Sequence, residues 1–368
     1  MCCPVSAHEN LSPLALLANF LNPEGPGGHN QTLLFRKFNT LLSWEYVLFQ
    51  GLQYDLVPLL WHTLKKHYKL SELSMPDAMN RRFNEIYYQH LAQFLVQSGE
   101  RERLLGELTG AGIDVILLKG TAVADDLYPS PALRPMSDID LLLYENDMER
   151  GAGIVRDLGY DLYTEQRNRI AAAQRDSHFH LTFIKKVFNS TVVVELHHAL
   201  ARKVFIKDNT LGFWKDARKK TDKNTNLFVA SPERLFLHLC WHFFQHVAHD
   251  LIFRLIWLVD IILLLKKYGS TLDWDLISRH ALEWKMSTRI KLPLFLAEQL
   301  FDARFDPPAR LLPGTIDRHV FQTVLSSYRG QEPRTITALP LNLLEPSFLF
   351  KRIVLNMQAR LIILIDWK

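Results

Sequence analysis

Apolar residues in the first part of the chain recur with the spacing of amphipathic helices. Near Trp44, Val47 and Leu48 they recur every three or four positions, which places them on one face of a helix. Pro76 suits the first turn of a long helix that follows it. Residues 1–110 are therefore predicted to form an N-terminal helical region.

The pattern then changes to short apolar runs that alternate with helical segments. Strands are predicted at 113–118, 137–143, 178–185 and 191–196, and helices at 120–127 and 145–158. Strand, helix, strand, helix and hairpin together form a small α/β unit of about 90 residues. Residues 111–205 are predicted to be this core.

Helical spacing returns in the last part of the chain. Ser231 and Pro232 are typical of an N-cap and a first helical position. Helices are predicted near 232–249, 251–267, 273–284, 287–301 and 346–364. Residues 206–368 are thus predicted to form a C-terminal helical domain, and the fold class is α+β.

The overall composition is that of an ordinary globular protein, with 48% hydrophobic and 22% charged residues. The 43 basic and 39 acidic residues leave a formal charge of +4. This excess is too small to require a nucleic-acid partner, although it permits a local basic patch or an anionic substrate.

Cysteine spacing and hydropathy favour a cytoplasmic protein that does not span a membrane. Cys2, Cys3 and Cys240 suggest no disulfide framework, which fits a reducing cytosol. The first part of the chain shows no secretory signal. The most apolar stretch, Leu251 to Leu265, is shorter than the roughly 20 residues that a membrane span needs.

Two aspartates separated by one residue mark the strongest candidate for chemistry. Because side chains alternate along a strand, Asp138 and Asp140 are predicted to share one face. Glu195 follows three valines in a later strand, where a lone charge is unfavourable to bury. If the two strands are neighbours, the three carboxylates form a cage suited to Mg²⁺. Alternatively, the aspartates cap a solvated strand end and Glu195 pairs with a buried arginine.

A second group of residues has the pattern of a phosphate site. Gly120 and Thr121 follow a predicted strand and open a helix, which exposes backbone N–H groups and the positive end of the helix dipole. Lys119 and Arg134 can add positive charge. Alternatively, Lys119 is a surface lysine and Arg134 a loop arginine.

The ordered set of motifs resembles a known family. The motifs are Leu118-Lys119-Gly120, Leu127-Tyr128, Arg134-Pro135, Asp138-Ile139-Asp140-Leu141-Leu142 and the later Glu195. They are similar to a bacterial family of uncharacterised nucleotidyltransferases of the polymerase-β superfamily. The similarity extends over roughly residues 40–300 and includes the flanking helices.

This resemblance implies a polymerase-β-type core with a small mixed sheet, flanked by the two helical regions. It implies that Asp138 and Asp140 bind two Mg²⁺ ions, for which Mn²⁺ can substitute, and that Glu195 binds the catalytic ion and helps to activate the acceptor hydroxyl. The predicted nucleotide contacts are Lys119, Gly120, Thr121, Arg134 and Ser137.

Two features depart from the superfamily pattern. Thr121 stands where serine is usual, which keeps a hydroxyl group. The segment between Gly120 and Asp138 is longer than in the better-known members. The phosphate contacts of Lys119 and Arg134 therefore do not follow directly from the resemblance.

Histidines are the candidates for an acceptor pocket. A stripe on one helical face is formed by His238, His242, His246 and His249. No neighbouring ligands complete a typical zinc pattern, so the stripe is a packed polar face or a wall of the pocket. His180, His197 and His242 are predicted pocket residues, and core or surface roles are equally compatible with them.

The sequence thus predicts an Mg²⁺-dependent nucleotidyltransferase that transfers NMP from an NTP to an acceptor hydroxyl and releases pyrophosphate. The weak net charge favours a small-molecule acceptor over RNA or protein. The alternative is a non-catalytic nucleotide-binding or scaffold protein that retains the fold, against which the three intact acids argue.

Overall fold

Two compact units, each built from separate stretches of sequence, make up the chain. The computed structural model describes residues 21, 43–68, 74–163, 180–200, 210, 212–220, 226–247, 254–301, 303, 305–314 and 318. The sheet unit comprises Tyr87–Cys240 and Leu263–Trp284; the helical unit comprises Met1–Ile86, Trp241–Ile262 and Lys285–Lys368. The predicted helix at 346–364, His249, Cys2 and Cys3 lie outside the described residues. The division at residues 110 and 205 stays a prediction.

The described helices are α1 (Trp44–Gln53), α2 (Val57–His67), α3 (Asp77–Gly110), α4 (Lys119–Leu127), α5 (Met148–Asp157), α6 (Pro232–Gln245), α7 (Leu255–Tyr268), α8 (Trp274–Glu283) and α9 (Ser287–Phe301). The described strands are β1 (Val115–Leu117), β2 (Ile139–Leu142), β3 (Asp161–Leu162), β4 (His180–Val187), β5 (Ser190–His197), β6 (Arg218–Lys219) and β7 (Leu227–Val229). Short 3₁₀ turns occur at Pro131–Leu133, Glu145–Asp147 and Ala309–Leu311.

These strands form one mixed sheet in the order β3-β4-β5-β2-β1-β7-β6. The pairs β2–β5 and β1–β7 are parallel. The other neighbouring strands are antiparallel. β5, β2 and β1 are adjacent in the centre of the sheet, so side chains from three separate stretches of sequence can meet on one face.

Alternation along β2 and β5 places the hydrophobic core on one face of the sheet and the acids on the other. The apolar face of the strands includes Ile139, Leu141, Phe183, Val192, Val194 and Leu196. It packs against Leu104 and Leu108 of α3 and Val155 of α5. Because strand side chains alternate, Asp140, Glu195 and His197 extend from the opposite face. The hydrophobic core therefore determines which side of the sheet carries the acids.

Helix α3 ends where the chain turns into the sheet. Gly112 has a φ of +78°, a left-handed conformation that glycine adopts without a Cβ clash. The N–H of Ile113 then donates to the carbonyl of Leu108 at 3.0 Å, a bond typical of a helix end closed by a glycine. The glycine-rich segment thus directs the chain from α3 into β1.

The predicted α+β class is confirmed. The predicted order of strand, helix, strand, helix and hairpin is present as β1, α4, β2, α5 and β4–β5. β2 begins at Ile139, so Asp138 immediately precedes the strand instead of lying on it. Strands β3, β6 and β7 were not predicted, because two or three residues are too few to show a period.

In the helical unit, aromatic packing and an ion pair link distant stretches of the chain. Trp61 stacks on Phe83 with ring centroids 5.2 Å apart, and its Nε1 donates to Asn84 at 3.0 Å. Arg254 donates to Asp55 at 2.6 Å. None of the helices in the described ranges is both long and apolar enough to cross a membrane.

A carboxylate on α3 ties two other parts of the sheet unit to that helix. The hydroxyl of Tyr160 and the ammonium of Lys185 each donate to Glu100 Oε2 at 2.8 Å. Burial by itself would raise the pKa of Glu100, but these hydrogen bonds and the Lys185 charge lower it below the ordinary value. The folded state therefore favours the ionised carboxylate.

We expect Glu100→Gln to lower the free energy of unfolding by about 1.5–3 kcal/mol, because it removes hydrogen bonds to a charged group. Glu100 has a lower pKa in the folded than in the unfolded chain. Its stabilisation is complete above the unfolded-state pKa and is lost as pH falls through the folded-state pKa. Urea denaturation at several pH values measures this. The exposed Glu107→Gln on the same helix is the control, and equal effects of the two variants at neutral pH would contradict the assignment.

Candidate functional site

The three acids come together at the centre of the sheet. Asp140 on β2 is in direct register with Glu195 on the parallel neighbour β5. Asp138 lies two residues earlier, where the chain enters β2. Ligand oxygens from the three carboxylates lie within 4.8 Å of one another. Strand register thus joins two stretches of sequence into one carboxylate cluster, defined here as Asp138, Asp140 and Glu195.

Lys119 provides positive charge inside this cluster. Its ammonium lies 2.6 Å from Asp140 Oδ1 and 3.5 Å from Glu195 Oε2. Lys119 is therefore not the surface lysine that was the alternative prediction. In these contacts Glu195 has this lysine, and not a buried arginine, as a cationic partner. The φ of Lys119 is +47°, an uncommon conformation for a non-glycine residue. Backbone strain of this kind is maintained where surrounding contacts enforce it, often at functional sites.

Two histidines also contact the carboxylate cluster. His197 Nε2 lies 2.9 Å from Asp140 Oδ1 and 3.2 Å from Glu195 Oε2. His180 Nε2 lies 3.7 Å from Glu195 Oε1. The rings are a cross-strand pair with centroids 4.9 Å apart. Both predicted pocket residues therefore lie beside the acids.

Burial and charge separate the protonation behaviour of the two aspartates. Burial, together with the neighbouring charge of Asp140, raises the pKa of Asp138 to about 6. Burial would also raise the pKa of Asp140, but Lys119 and His197 hold it well below its usual range. Asp140 is thus the stably ionised acid, while Asp138 accepts a hydrogen bond from Ser137 Oγ at 3.2 Å.

The cationic groups show the reciprocal effect. Burial opposes the charged form of Lys119, but Asp140 and Glu195 raise its pKa above the ordinary value. His197 is also buried, and its hydrogen bonds to the same two acids raise its pKa. Burial lowers the pKa of His180 to about 4, so this imidazole is neutral at physiological pH. The carboxylate cluster is therefore surrounded by two cations, Lys119 and His197, and by the neutral imidazole of His180.

The start of α4 lies directly beside this cluster. A Cβ added to Gly120 would lie 2.8 Å from Arg134 Nη1 and 3.1 Å from Met136 Cγ. Glycine therefore lets the buried Arg134 side chain lie against the helix start, where its Nη1 donates to the carbonyl of Pro135 at 2.6 Å. The hydroxyl of Thr121 is buried and has no hydrogen-bond partner within the described part of the chain.

The donor set fits divalent cations that prefer oxygen. Mg²⁺ binds oxygens at about 2.0–2.1 Å, so oxygens on opposite sides of one ion are roughly 4.2 Å apart. Carboxylate oxygens already within 4.8 Å of one another approach this separation with only small side-chain movements. The cluster is a candidate metal centre, and the adjoining helix start adds Lys119, Arg134 and backbone N–H groups that suit phosphate.

Two histidines of the sequence stripe belong to different units. His242 lies in the helical unit, with its ring 4.5 Å from His246 and 5.0 Å from Trp257, and its place in an acceptor pocket stays a prediction. His238 lies in the sheet unit and was not singled out from the stripe. Burial and the charges of Lys119 and His197 lower its pKa to about 3, so this imidazole is neutral at physiological pH. Helical spacing alone contains no signal that distinguishes His238 from His242.

Fold and site together define an α+β protein with a carboxylate centre suited to metal-dependent phosphate chemistry. The chain belongs to the uncharacterised nucleotidyltransferase family, whose model matches residues 41–302 of its 368 residues. The predicted family is thereby confirmed, and the match includes the whole carboxylate cluster. Comparisons with curated proteins and with solved structures found no significant match. Family membership supports nucleotidyl transfer as the general activity.

We expect Lys119→Gln to lower the free energy of unfolding by about 3–5 kcal/mol in the absence of divalent cations, because it leaves Asp140 buried without its closest cation. Urea denaturation in the presence of EDTA measures this loss. The control is Lys186→Gln on the exposed side of β4, with an expected change within about 0.5 kcal/mol. A Lys119 variant as stable as the control would show that the buried pair contributes no net stability.

Proposed function

We propose that the protein transfers the nucleotidyl group of an NTP to an acceptor hydroxyl, by a two-metal mechanism that uses Mg²⁺ or Mn²⁺, and releases pyrophosphate. The observation that carries this proposal is the convergence of Asp138, Asp140 and Glu195 in a member of a nucleotidyltransferase family. The resemblance to polymerase-β-type enzymes supports the same assignment of roles.

The three carboxylates are the proposed metal ligands. Asp138 and Asp140 would hold both ions, and Glu195 would also hold the catalytic one. When bound, the ions stabilise the charge on the attacking and leaving oxygens of the transferred phosphoryl group. Without metal, Lys119 and His197 offset part of the carboxylate charge, which lets the cluster remain assembled.

The helix start and two cations are the proposed triphosphate site. The first N–H groups of α4 have no partners within the helix, so Gly120 and Thr121 can donate to phosphate oxygens. The buried Thr121 hydroxyl is a further donor. Lys119 and Arg134 lie at the same helix start and attract the triphosphate charge. Ser137, which already orients Asp138, completes the proposed nucleotide contacts.

The transfer itself exchanges one phosphorus–oxygen bond for another. The acceptor oxygen forms a bond to the α-phosphorus, and the bond from that phosphorus to the bridging oxygen of the β-phosphate breaks. Pyrophosphate leaves with the electron pair of that bond. Glu195 orients the acceptor hydroxyl and receives its proton.

A small-molecule acceptor is favoured over RNA or protein. Phosphate contacts dominate nucleic-acid binding, and a chain with a formal charge of +4 has little excess charge for an extended RNA. His180 and His197 line one side of the cluster, and a compact polar acceptor needs only a few such contacts.

We expect Asp138→Asn and Asp140→Asn each to reduce nucleotidyl transfer at least about 100-fold, since groups that merely orient metal ligands already change activity up to this extent. Circular dichroism shows whether the variants stay folded. The matched control is Asp157→Asn, an exposed residue on α5 that should transfer at the wild-type rate. Wild-type turnover by a folded Asp138 or Asp140 variant would remove the catalytic assignment.

Labelled NTPs, Mg²⁺ and a fractionated cell extract provide the assay. Each nucleotide is first tested for Mg²⁺-dependent thermal stabilisation of the protein, and the extract fractions are then searched for a labelled product and for released pyrophosphate. Stabilisation together with a labelled acceptor supports the transferase. Stabilisation by an NTP without product in any fraction would favour the non-catalytic nucleotide-binding alternative.

Arg134→Gln should weaken NTP binding about 10- to 100-fold, the effect of losing roughly 1.5–3 kcal/mol from a charged hydrogen bond. A phosphate contact carries no base information, so all four NTPs should weaken to a similar extent. Calorimetric titration with Mg²⁺–NTP measures the change, with the exposed Arg81→Gln as control. Unchanged NTP affinity in a folded Arg134 variant would assign this arginine to structure alone.

A further inference from the structure

A second group of metal-capable side chains overlaps the carboxylate cluster. Ligand atoms of His180, Glu195 and His197 also lie within 4.8 Å of one another. His180 and His197 face each other across the antiparallel β4–β5 pair. This group, called the His–Glu–His group below, comes from a single hairpin, so its geometry depends on local strand pairing.

Glu195 presents a different oxygen to each side of the site. Oε1 is the oxygen nearest His180, at 3.7 Å, whereas Oε2 lies 3.5 Å from Lys119 and 3.2 Å from His197. In the sheet order, β4 carries His180 on one side of β5, and β2 carries Asp140 on the other. Glu195 therefore contacts one histidine through each of its oxygens. His197 also lies 2.9 Å from Asp140 Oδ1, so the His–Glu–His group adjoins the carboxylate cluster at Glu195 and His197.

The chemistry of the two groups differs. Three carboxylates are hard oxygen ligands that suit Mg²⁺. Two imidazoles and a carboxylate suit transition metals such as Zn²⁺, Fe²⁺ or Co²⁺, for which nitrogen ligands are favourable.

We propose that His180, Glu195 and His197 bind a divalent transition-metal ion, and that this ion shares Glu195 with the carboxylate cluster. The inference rests on the proposed function, because the shared glutamate then belongs to a mixed-metal centre. It replaces the predicted pocket role of the two histidines with direct ligation. The ligands on the β4–β5 hairpin would therefore determine which metal ion binds at this position.

Mn²⁺ serves as the probe, since its electron paramagnetic resonance reports directly bound nitrogen. Wild-type protein with Mn²⁺ in excess Mg²⁺ should show electron spin-echo modulation from imidazole nitrogen. Selective ¹⁵N-histidine labelling should shift that modulation without any substitution. Zn²⁺ should displace the bound Mn²⁺, as expected from the order of transition-metal affinities.

His180→Gln tests the ligand role with a partly exposed residue. We expect this variant to bind Mn²⁺ at least about tenfold more weakly and to lose one nitrogen coupling, whereas His198→Gln, at the histidine directly after His197, should match wild type. Nitrogen modulation that survives unchanged in His180→Gln, or that is absent from wild type, would overturn the inference. Wild-type protein that binds neither Mn²⁺ nor Zn²⁺ would also overturn it.

The proposed transferase can fail or stand independently of this result. Wild-type protein could bind Mn²⁺ without histidine coupling and lose that binding in Asp138→Asn. This result would support the carboxylate centre and reject the His–Glu–His group. Histidine coupling together with absence of nucleotidyl transfer would reject the transferase and support the metal site.

Discussion

The structure depends on holding three carboxylates together at the centre of a sheet. Charges of one sign at this separation repel each other, and partial burial strengthens the repulsion because less water is present to screen it. Lys119 and His197 reduce this repulsion through contacts of 2.6 Å and 2.9 Å with Asp140. Cations of the chain thus preserve the spacing of acids that a metal would require.

Strand register is what places the acids on the same spot. Asp140 and Glu195 pair directly because β2 and β5 are parallel neighbours. A slip of one residue would turn Val194 and Leu196 away from the core, and each exposed side chain would lose about 1.5–3 kcal/mol of burial. The hydrophobic face beneath α3 and α5 therefore enforces the polar geometry on the opposite face.

Strain and charge also connect the sheet to the start of α4. Lys119 has an uncommon backbone conformation at the point where β1 gives way to the helix. This turn brings its ammonium back to Asp140 and leaves the following N–H groups at the helix start. Gly120 provides the space that Arg134 occupies. The carboxylate cluster and the N–H donors of the helix start are consequently adjacent, an arrangement that the proposed nucleotidyl transfer needs.

The local sequence pattern was sufficient to predict most helices and strands and to identify individual residues with candidate chemistry. Alternation and helical spacing determined the α+β class, and the charge of Glu195 among valines marked it as a residue that needs a partner. The motif order also identified the family that was later matched. Such signals are local because they depend only on the period of the backbone.

Only the tertiary structure decided which partners meet. Sequence spacing contains no information on the contact between Lys119 and Asp140, on the pairing of His180 with His197, or on the short strands β6 and β7. It also did not distinguish His238 from His242, since both lie on the same helical face. Long-range pairing is determined by how the hydrophobic core fits together as a whole, and the polar contacts follow from that packing.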